Sequence, residues 1–168
     1  MTNVLKITSD LYAIMRQDLI RPHSYAAERV GFMFCRFAQA GGESTLVLAS
    51  SYTPVADALY IRDRKVGARI NGEAIRLAMQ EVMDTGCGCF HVHLHGHKGI
   101  PGLSFTDRRE IPPIIDSLAV VGPESYHGIF LLSDDKCFAL VRSPRVSQLF
   151  PASKISIVGY PLDTIRED

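Results

Sequence analysis

The chain has 168 residues, of which 46% are hydrophobic and 21% are charged, and this balance is typical of an ordinary globular protein and excludes a disordered one. A single domain of this length buries roughly two-thirds of its unfolded surface, so we expect one domain over residues 1–168. Eighteen basic and eighteen acidic residues cancel, which excludes the broad positive field of nucleic-acid and anionic-membrane binders.

The first half of the chain predicts a strand, a helix and a hairpin. Apolar residues at helical spacing follow two residues that commonly cap helices, and two runs of strand formers flank a glycine pair. The predicted segments are a strand over residues 4–7, a helix from Ser9 or Asp10 to about Ile20, and strands over 30–37 and 44–50 joined by a turn at Gly41 and Gly42.

The second half predicts two helical regions among further strands. Helical spacing before a glycine marks one helix, and two prolines mark the point where a short helix stops and a second helical turn starts. The predicted segments are a strand within 60–70 broken by an Arg-Asp-Arg-Lys turn, a helix from Glu73 to Met83 stopping at Gly86, a short helix from Asp107 to Pro112 and Pro113, strands over 118–121, 128–132 and 137–141, and a strand over 155–160 that either completes the sheet or lies at the surface.

The chain shows no sign of membrane insertion or of disulfide bonding. Its first residues lack a basic segment followed by an apolar one, and no run approaches the roughly 18 apolar residues of a membrane span. We therefore expect a cytoplasmic protein. The cysteines form no framework of pairs and are expected to be reduced and mostly buried. They are Cys35, Cys87, Cys89 and Cys137.

A histidine-rich segment spans residues 91–107 and ends in Ser-Phe-Thr-Asp. Alternate residues of a strand share one face, so His91, His93 and His95 are expected on the same side. Imidazole nitrogens and a carboxylate are ligands of catalytic zinc, and Asp107 would return to the histidines through a glycine-rich loop. The segment predicts a zinc site, and an exposed tract that binds metal adventitiously is the alternative.

Glu28 stands at the entrance of a predicted core strand. A carboxylate is unexpected there unless it is exposed or functional, and a hydrolytic metal site needs a proton acceptor close to its water. Glu28 is therefore either a solvated residue at the end of a strand or the general base of this site.

Three segments, in this order, resemble the motifs of the JAMM (JAB/MPN) metalloproteases. Residues 28–34, Glu-Arg-Val-Gly-Phe-Met-Phe, resemble the family's Glu-x-x-Gly-hydrophobic-Met-hydrophobic segment. Residues 88–93, Gly-Cys-Phe-His-Val-His, resemble its Gly-hydrophobic-aromatic-His-x-His segment, and residues 104–107 match its Ser-x-x-Asp. The resemblance covers residues 5–145.

The resemblance leaves two registers for the histidine pair. Leu94 follows His93 where the family usually has proline, and ten residues separate His93 from Ser104, against eight from His95. The spacing to the serine favours His93 with His95 as the ligand pair. The upstream glycine and aromatic residue favour the first pair, His91 with His93. We choose the first pair, because lengthening a loop costs little entropy. The expected zinc ligands are His91, His93 and Asp107, with His95 as the alternative ligand.

The resemblance implies a role for each remaining site residue. Glu28 would act as general base, and Ser104 would donate a hydrogen bond to the oxyanion. A second interpretation is that Ser104 and Asp107 only cap the following helix. His97 is expected to be exposed or to order the loop, and Cys89 to pack near the metal strand without touching the ion.

The family resemblance also implies a fold and a reaction. The fold would be an α/β sandwich of the cytidine-deaminase-like (MPN/JAB) kind, with a curved mixed β-sheet flanked by helices. The deaminase reaction itself is disfavoured, because the His-x-Glu and Pro-Cys-x-x-Cys signatures are missing. The implied reaction is hydrolysis of a peptide or isopeptide bond after the C-terminal glycine of a ubiquitin-like protein.

The expected partners also follow from the resemblance, which is to the stand-alone prokaryotic branch of the family. They are a ubiquitin-like protein, whose tail would bind as an extended strand, and operon-encoded conjugation enzymes. A catalytically silent MPN scaffold is the alternative function. A DNA-associated member resembling the RadC branch is not supported by the neutral charge, and we expect no nucleic acid or membrane partner.

Overall fold

The computed structural model describes residues 2–41, 44–144 and 146–159, together with the backbone of residues 163–165. Within these residues the chain forms nine strands, three α-helices and one short 3-10 helix over Asp57–Leu59. The strands are β1 Thr2–Thr8, β2 Val30–Gln39, β3 Ser44–Pro54, β4 Gly88–Leu94, β5 His127–Leu132, β6 Cys137–Arg142, β7 Leu149–Pro151, β8 Lys154–Val158 and β9 Asp163–Ile165. The helices are α1 Ser9–Leu19, α2 Gly72–Thr85 and α3 Phe105–Val121.

The strands form one curled mixed sheet in the order β7-β6-β5-β4-β2-β3-β1-β8-β9. Strand β4 runs parallel to β5, and β1 runs parallel to both β3 and β8. The other neighbouring strands are antiparallel, including β2 with β4 and the β2–β3 hairpin. The α/β class and the mixed sheet are as predicted.

The helices cover both faces of this sheet. Helix α1 packs on one face through Met15 and Leu19, among residues such as Phe90 and Val92 of β4. Helices α2 and α3 pack on the opposite face, where they meet Val30 of β2 and the neighbouring apolar side chains. Because side chains alternate along a strand, the odd-numbered residues of β4 face α2 and α3.

Helix α2 confirms the predicted second helix and its end. Ala74, Ala78 and Val82 are buried at intervals of four residues, and Asn71 caps the first turn. The helix ends at Gly86, whose φ of 65° is favourable for glycine and costly for other residues.

Helix α1 is also as predicted except for its cap. The side chain of Thr8, rather than of Ser9 or Asp10, accepts the hydrogen bond from the amide of Leu11. Threonine supplies the same acceptor one residue earlier, so the helix begins at Ser9.

The predicted helix after Asp107 and the helical turn at the prolines lie within one longer helix, but the predicted strand over residues 118–121 was wrong. Helix α3 continues through Pro112 and Pro113 to Val121, so residues 118–121 are helical and not a strand. The prolines release carbonyl groups of two exposed residues of the first turns, which water can satisfy. Ile111, Ile115 and Leu118 form one buried face at helical spacing, and this packing outweighs the local breaks.

The predicted strand within residues 60–70 was also wrong. Tyr60 and Ile70 form a single antiparallel bridge, and the residues between them form a loop. Three arginines and a lysine of this segment are exposed, and aspartate and lysine are residue types that strands disfavour.

The remaining strand predictions are confirmed within a few residues. Strand β8 lies inside the sheet, between β1 and β9, while Tyr160 of the predicted segment lies outside the described residues, as does Gly42 of the predicted turn. All four cysteines are buried, and none of them forms a disulfide bond. Among the described residues, no helix is long and apolar enough to cross a membrane.

Candidate metal centre

Strand pairing brings Glu28 to the end of the histidine strand. Val30 of β2 lies opposite His93 of β4, and the pairing is antiparallel. Continuing this register two residues further places Glu28 beside His95, on the face that carries His93. Glu28 is partly buried, and His93 is 2% exposed.

Donor atoms of Glu28, His93 and His95 all lie within 4.8 Å of one another and could hold a metal ion. The Nε2 atoms of the two histidines are 2.9 Å apart. Asp107 adds a second carboxylate, with Oδ1 3.4 Å from Nε2 of His93 and Oδ2 3.4 Å from Nε2 of His95. Donors around a tetrahedral zinc with bonds of about 2.0–2.1 Å are separated by about 3.3 Å, so these spacings suit such an ion.

Asp107 is held in place by the start of helix α3. Oδ2 of Asp107 accepts a hydrogen bond of 2.7 Å from the amide of Ser104, and Oγ of Ser104 accepts one of 3.1 Å from the amide of Asp107. This reciprocal capping box fixes the carboxylate while its oxygens face the histidines. The capping interpretation and the metal-ligand interpretation of the Ser-x-x-Asp segment therefore apply together.

The charges at this centre are coupled. Burial alone would raise the pKa of Asp107, but its hydrogen bonds with His93 and His95 hold that pKa well below the usual range. The hydrogen bond to Asp107 in turn raises the pKa of His95. Asp107 is therefore ionised at neutral pH, as a metal ligand must be.

His91 occupies a different position from the other two strand histidines. It lies opposite Phe32, one pleat deeper than His93, and it is not among the donors that lie within 4.8 Å of one another. Burial, with a smaller contribution from His93, lowers the pKa of His91 to about 3. The described distances thus group His95, the alternative ligand, with His93 and Glu28.

Two other residues for which the sequence made predictions, His97 and Cys89, are not part of the metal-binding group. His97 is exposed, and its Nδ1 is 2.9 Å from the carbonyl oxygen of Lys98, within the loop after β4. Cys89 is fully buried on the metal strand, where its amide donates to Nδ1 of His127.

A loop over residues 63–70, which we call the cleft loop, fixes the position of Glu28. The carbonyl oxygen of Gly67 accepts hydrogen bonds from the amides of Ala27 and Glu28, at 2.8 Å and 3.0 Å. A Cβ atom on Gly67 would lie only 2.5 Å from Oε2 of Glu28. The cleft loop therefore packs directly against the carboxylate, and a side chain at this position would displace it.

A cleft of about 690 Å³ opens over this centre. The cleft loop forms one wall and helix α3 the other, and His91 and His93 are among the residues that line it. Ion pairs at the walls join Arg69 to Asp63 and Arg109 to Glu110. Sequence reasoning missed the cleft loop, because it placed a strand within residues 60–70, where the chain forms a loop.

No protein-family model matches the chain, and no curated protein matches it significantly. The chemistry of the donor set is therefore the test of whether a metal ion fits. Two imidazoles and a carboxylate suit a divalent transition metal, and a second carboxylate lies beside them. The buried Nδ1 of His93 has no partner among the described residues, so its ring is positioned by the contacts of Nε2 and by packing between His91 and His95.

Proposed function

We propose that the protein is a zinc-dependent peptidase of the JAMM type, which hydrolyses the peptide or isopeptide bond after the C-terminal glycine of a ubiquitin-like protein. The observation that carries this proposal is the convergence of Glu28, His93, His95 and Asp107 at one end of a cleft. The proposal includes a cytidine-deaminase-like sandwich fold, for which the mixed sheet between helices is the supporting feature.

The proposed zinc ligands are His93, His95 and Asp107. The distances of 2.9 Å and 3.4 Å among their donor atoms support this set over one that contains His91. With His95 as the second histidine of the pair, eight residues separate it from Ser104, instead of the ten that separate His93 from Ser104. When bound, zinc would lower the pKa of a coordinated water toward neutrality and polarise the scissile carbonyl group.

Glu28 is the proposed general base. Its carboxylate lies within 4.8 Å of the histidine donor atoms, on the open side of the centre. In this position it accepts a proton from the attacking water and passes that proton to the leaving amine. The backbone contacts with Gly67 fix the main chain from which this carboxylate projects.

Ser104 is proposed to stabilise the negative charge that develops on the scissile carbonyl oxygen. Its Oγ acts as an acceptor in the capping box, so the hydroxyl proton remains free to donate. Ser104 also lines the cleft. A donor held in this way by a helix terminus costs little reorganisation during the reaction.

The substrate tail is proposed to enter between the cleft loop and helix α3. These two walls leave a groove that leads to the centre, and an extended chain without large side chains at the cleavage point would fit between them. Its backbone would pair with an exposed edge, as in other strand-addition complexes. Pathway partners would be operon-encoded conjugation enzymes acting in the same cytoplasm.

The test is cleavage of a panel of ubiquitin-like fusion proteins by protein that has been stripped with a chelator and reloaded with zinc. The proposal predicts release of the C-terminal partner after the terminal glycine, only in the reloaded sample. Glu28→Gln serves as the matched control, because it keeps the ligands and removes the base. Zinc binding without any cleavage across the panel would favour the silent scaffold instead.

A further inference from the structure

The cleft extends well beyond the atoms that would hold a metal ion. Apolar side chains from three elements line one part of it, which we call the inner cleft because Val30 and Ile111 are buried: Val30 of β2, Ile75 of α2 and Ile111 of α3. Ile70 at the end of the cleft loop and Ile114 of α3 continue the same lining. A volume of about 690 Å³ is typical of sites that enclose ligand groups, and a metal ion with its water needs only a small part of it.

His91 is a polar group that borders this apolar region. Its side chain lines the cleft, yet the residue is only 5% exposed. Its Nδ1 is buried and has no hydrogen-bond partner among the described residues. The neighbouring rings of Phe32 and His93 meet it edge to face, at centroid distances of 5.9 Å and 5.3 Å, and satisfy no nitrogen.

An unpaired imidazole nitrogen in a buried place is unfavourable in the free protein. Same-face residues of a strand lie about 6.6 Å apart along the chain, so His91 is one step further into the cleft than His93. At that distance it does not join the donor atoms around His93 and His95. Because Nδ1 is itself shielded from the cleft, a group entering from the cleft would bond the other ring nitrogen, Nε2, which is not among the buried atoms that lack a partner.

We propose that the inner cleft is a subsite for one substrate side chain that has an apolar body and an uncharged hydrogen-bonding tip, with His91 as the residue that bonds the tip. The inference rests on the proposed peptidase function, because it assigns the side chain to a substrate held at the same centre. His91 is thereby a specificity-determining residue.

The lining decides the chemical class of the occupant. Isoleucine and valine walls favour an apolar body by removing it from water. A charged tip is excluded by the cost of burying it beside apolar walls, and an anionic tip would also compete for the metal. Imidazole both donates and accepts, so a hydroxyl or amide tip suits it. A phenol combines the apolar body with such a tip.

The experiment compares 4-methylphenol with toluene as probes, which differ only in the hydroxyl group. Binding to the zinc-loaded protein is followed by NMR titration at millimolar concentration, using the signals of the cleft residues. The variant His91→Phe keeps an aromatic ring and removes the nitrogens. His97→Phe is the matched control, because that histidine is exposed outside the cleft lining. Zinc content is measured for each protein.

The expected result is that 4-methylphenol binds at least about tenfold more tightly than toluene to the wild-type protein and to His97→Phe, and that this preference disappears in His91→Phe. Equal binding of the two probes, no binding in the cleft, or an unchanged preference in His91→Phe would overturn the subsite. Loss of zinc in His91→Phe would overturn it as well, because His91 would then be a ligand. If the protein cleaves none of the fusion proteins but still prefers 4-methylphenol to toluene, the proposed peptidase function is refuted and the binding site stands.

Discussion

Replacing Gly67 by alanine tests whether the cleft loop positions the general base. The added Cβ would lie 2.5 Å from Oε2 and 2.6 Å from Cδ of Glu28, whereas ordinary contacts begin at 3.4 Å. The carboxylate must therefore move by close to 1 Å. Gly67 does not have a positive φ, so alanine fits the backbone, and the carbonyl that binds the amides of Ala27 and Glu28 is retained.

A displacement of about 1 Å at a reacting group can cost roughly a hundredfold in rate. We expect Gly67→Ala to fold, to keep its zinc and to lose about tenfold to hundredfold in kcat on a fusion protein that the wild type cleaves. Steady-state kinetics, with metal content and circular dichroism measured on the same sample, provide the assay.

The matched control is Gly72→Ala, at the first residue of α2, where an added Cβ would meet nothing within 4 Å. It should retain the wild-type rate. If Gly67→Ala is within about threefold of Gly72→Ala in kcat, the close approach of Gly67 does not position the base, and this reasoning is refuted.

Three further outcomes are expected. Glu28→Gln should keep fold and zinc but lose about 10²-fold to 10⁴-fold in cleavage, and a rate near that of the wild type would place the base elsewhere. Ser104→Ala should lower the free energy of unfolding by about 1 kcal/mol, through loss of the cap, and slow cleavage by about 10²-fold to 10³-fold; a change in stability alone would make the serine only a cap. Burial lowers the pKa of His127 below its ordinary 6.5, despite its bonds to Gly122 and Cys89. As the pH falls, this histidine is therefore protonated in the unfolded chain at a higher pH than in the folded protein. The free energy of unfolding should decrease as the pH drops below 6.5. In urea titrations His127→Phe should be less stable by about 1–3 kcal/mol and show a flatter pH dependence, whereas an equally steep one would contradict this assignment.

Local periodicity explains which elements could be predicted from the sequence. The β2–β3 hairpin carries two runs of strand-forming residues around a glycine pair, and α2 carries helical spacing with a clear end signal at Gly86. Helix α3 carries the opposite local signal at Pro112 and Pro113, and only its packing through Ile111 and Ile115 shows that the helix continues. That packing is against strands whose residues lie elsewhere in the chain, so the sequence of this segment does not reveal it.

The candidate site also combines residues that the local sequence indicates with residues that only the tertiary structure brings together. His93 and Asp107 were predicted as ligands from residue types and spacing, and Glu28 was predicted as general base through the resemblance to the JAMM motifs; the structure brings the three side chains together. The choice between His91 and His95 depends on how β4 pairs with β2 and on where the loop to α3 returns. Both are tertiary features, so the spacing of the sequence left the choice open.

The position of Gly67 could not be predicted for a related reason. Nothing in Lys-Val-Gly-Ala marks a contact with a residue far earlier in the chain. The contact exists because the loop folds back over the start of β2, where its carbonyl binds two amides. The residues that shape the cleft were therefore visible only in the folded chain.

The metal content of the protein tests most directly whether His93, His95 and Asp107 build a zinc centre. Wild-type protein purified without chelators should carry about one zinc per chain by elemental analysis. His95→Ala should be metal-free and His91→Ala zinc-loaded, with both variants folded by circular dichroism. A loaded His95→Ala beside a metal-free His91→Ala would contradict the ligand set, and a wild-type protein without any transition metal would contradict the centre itself.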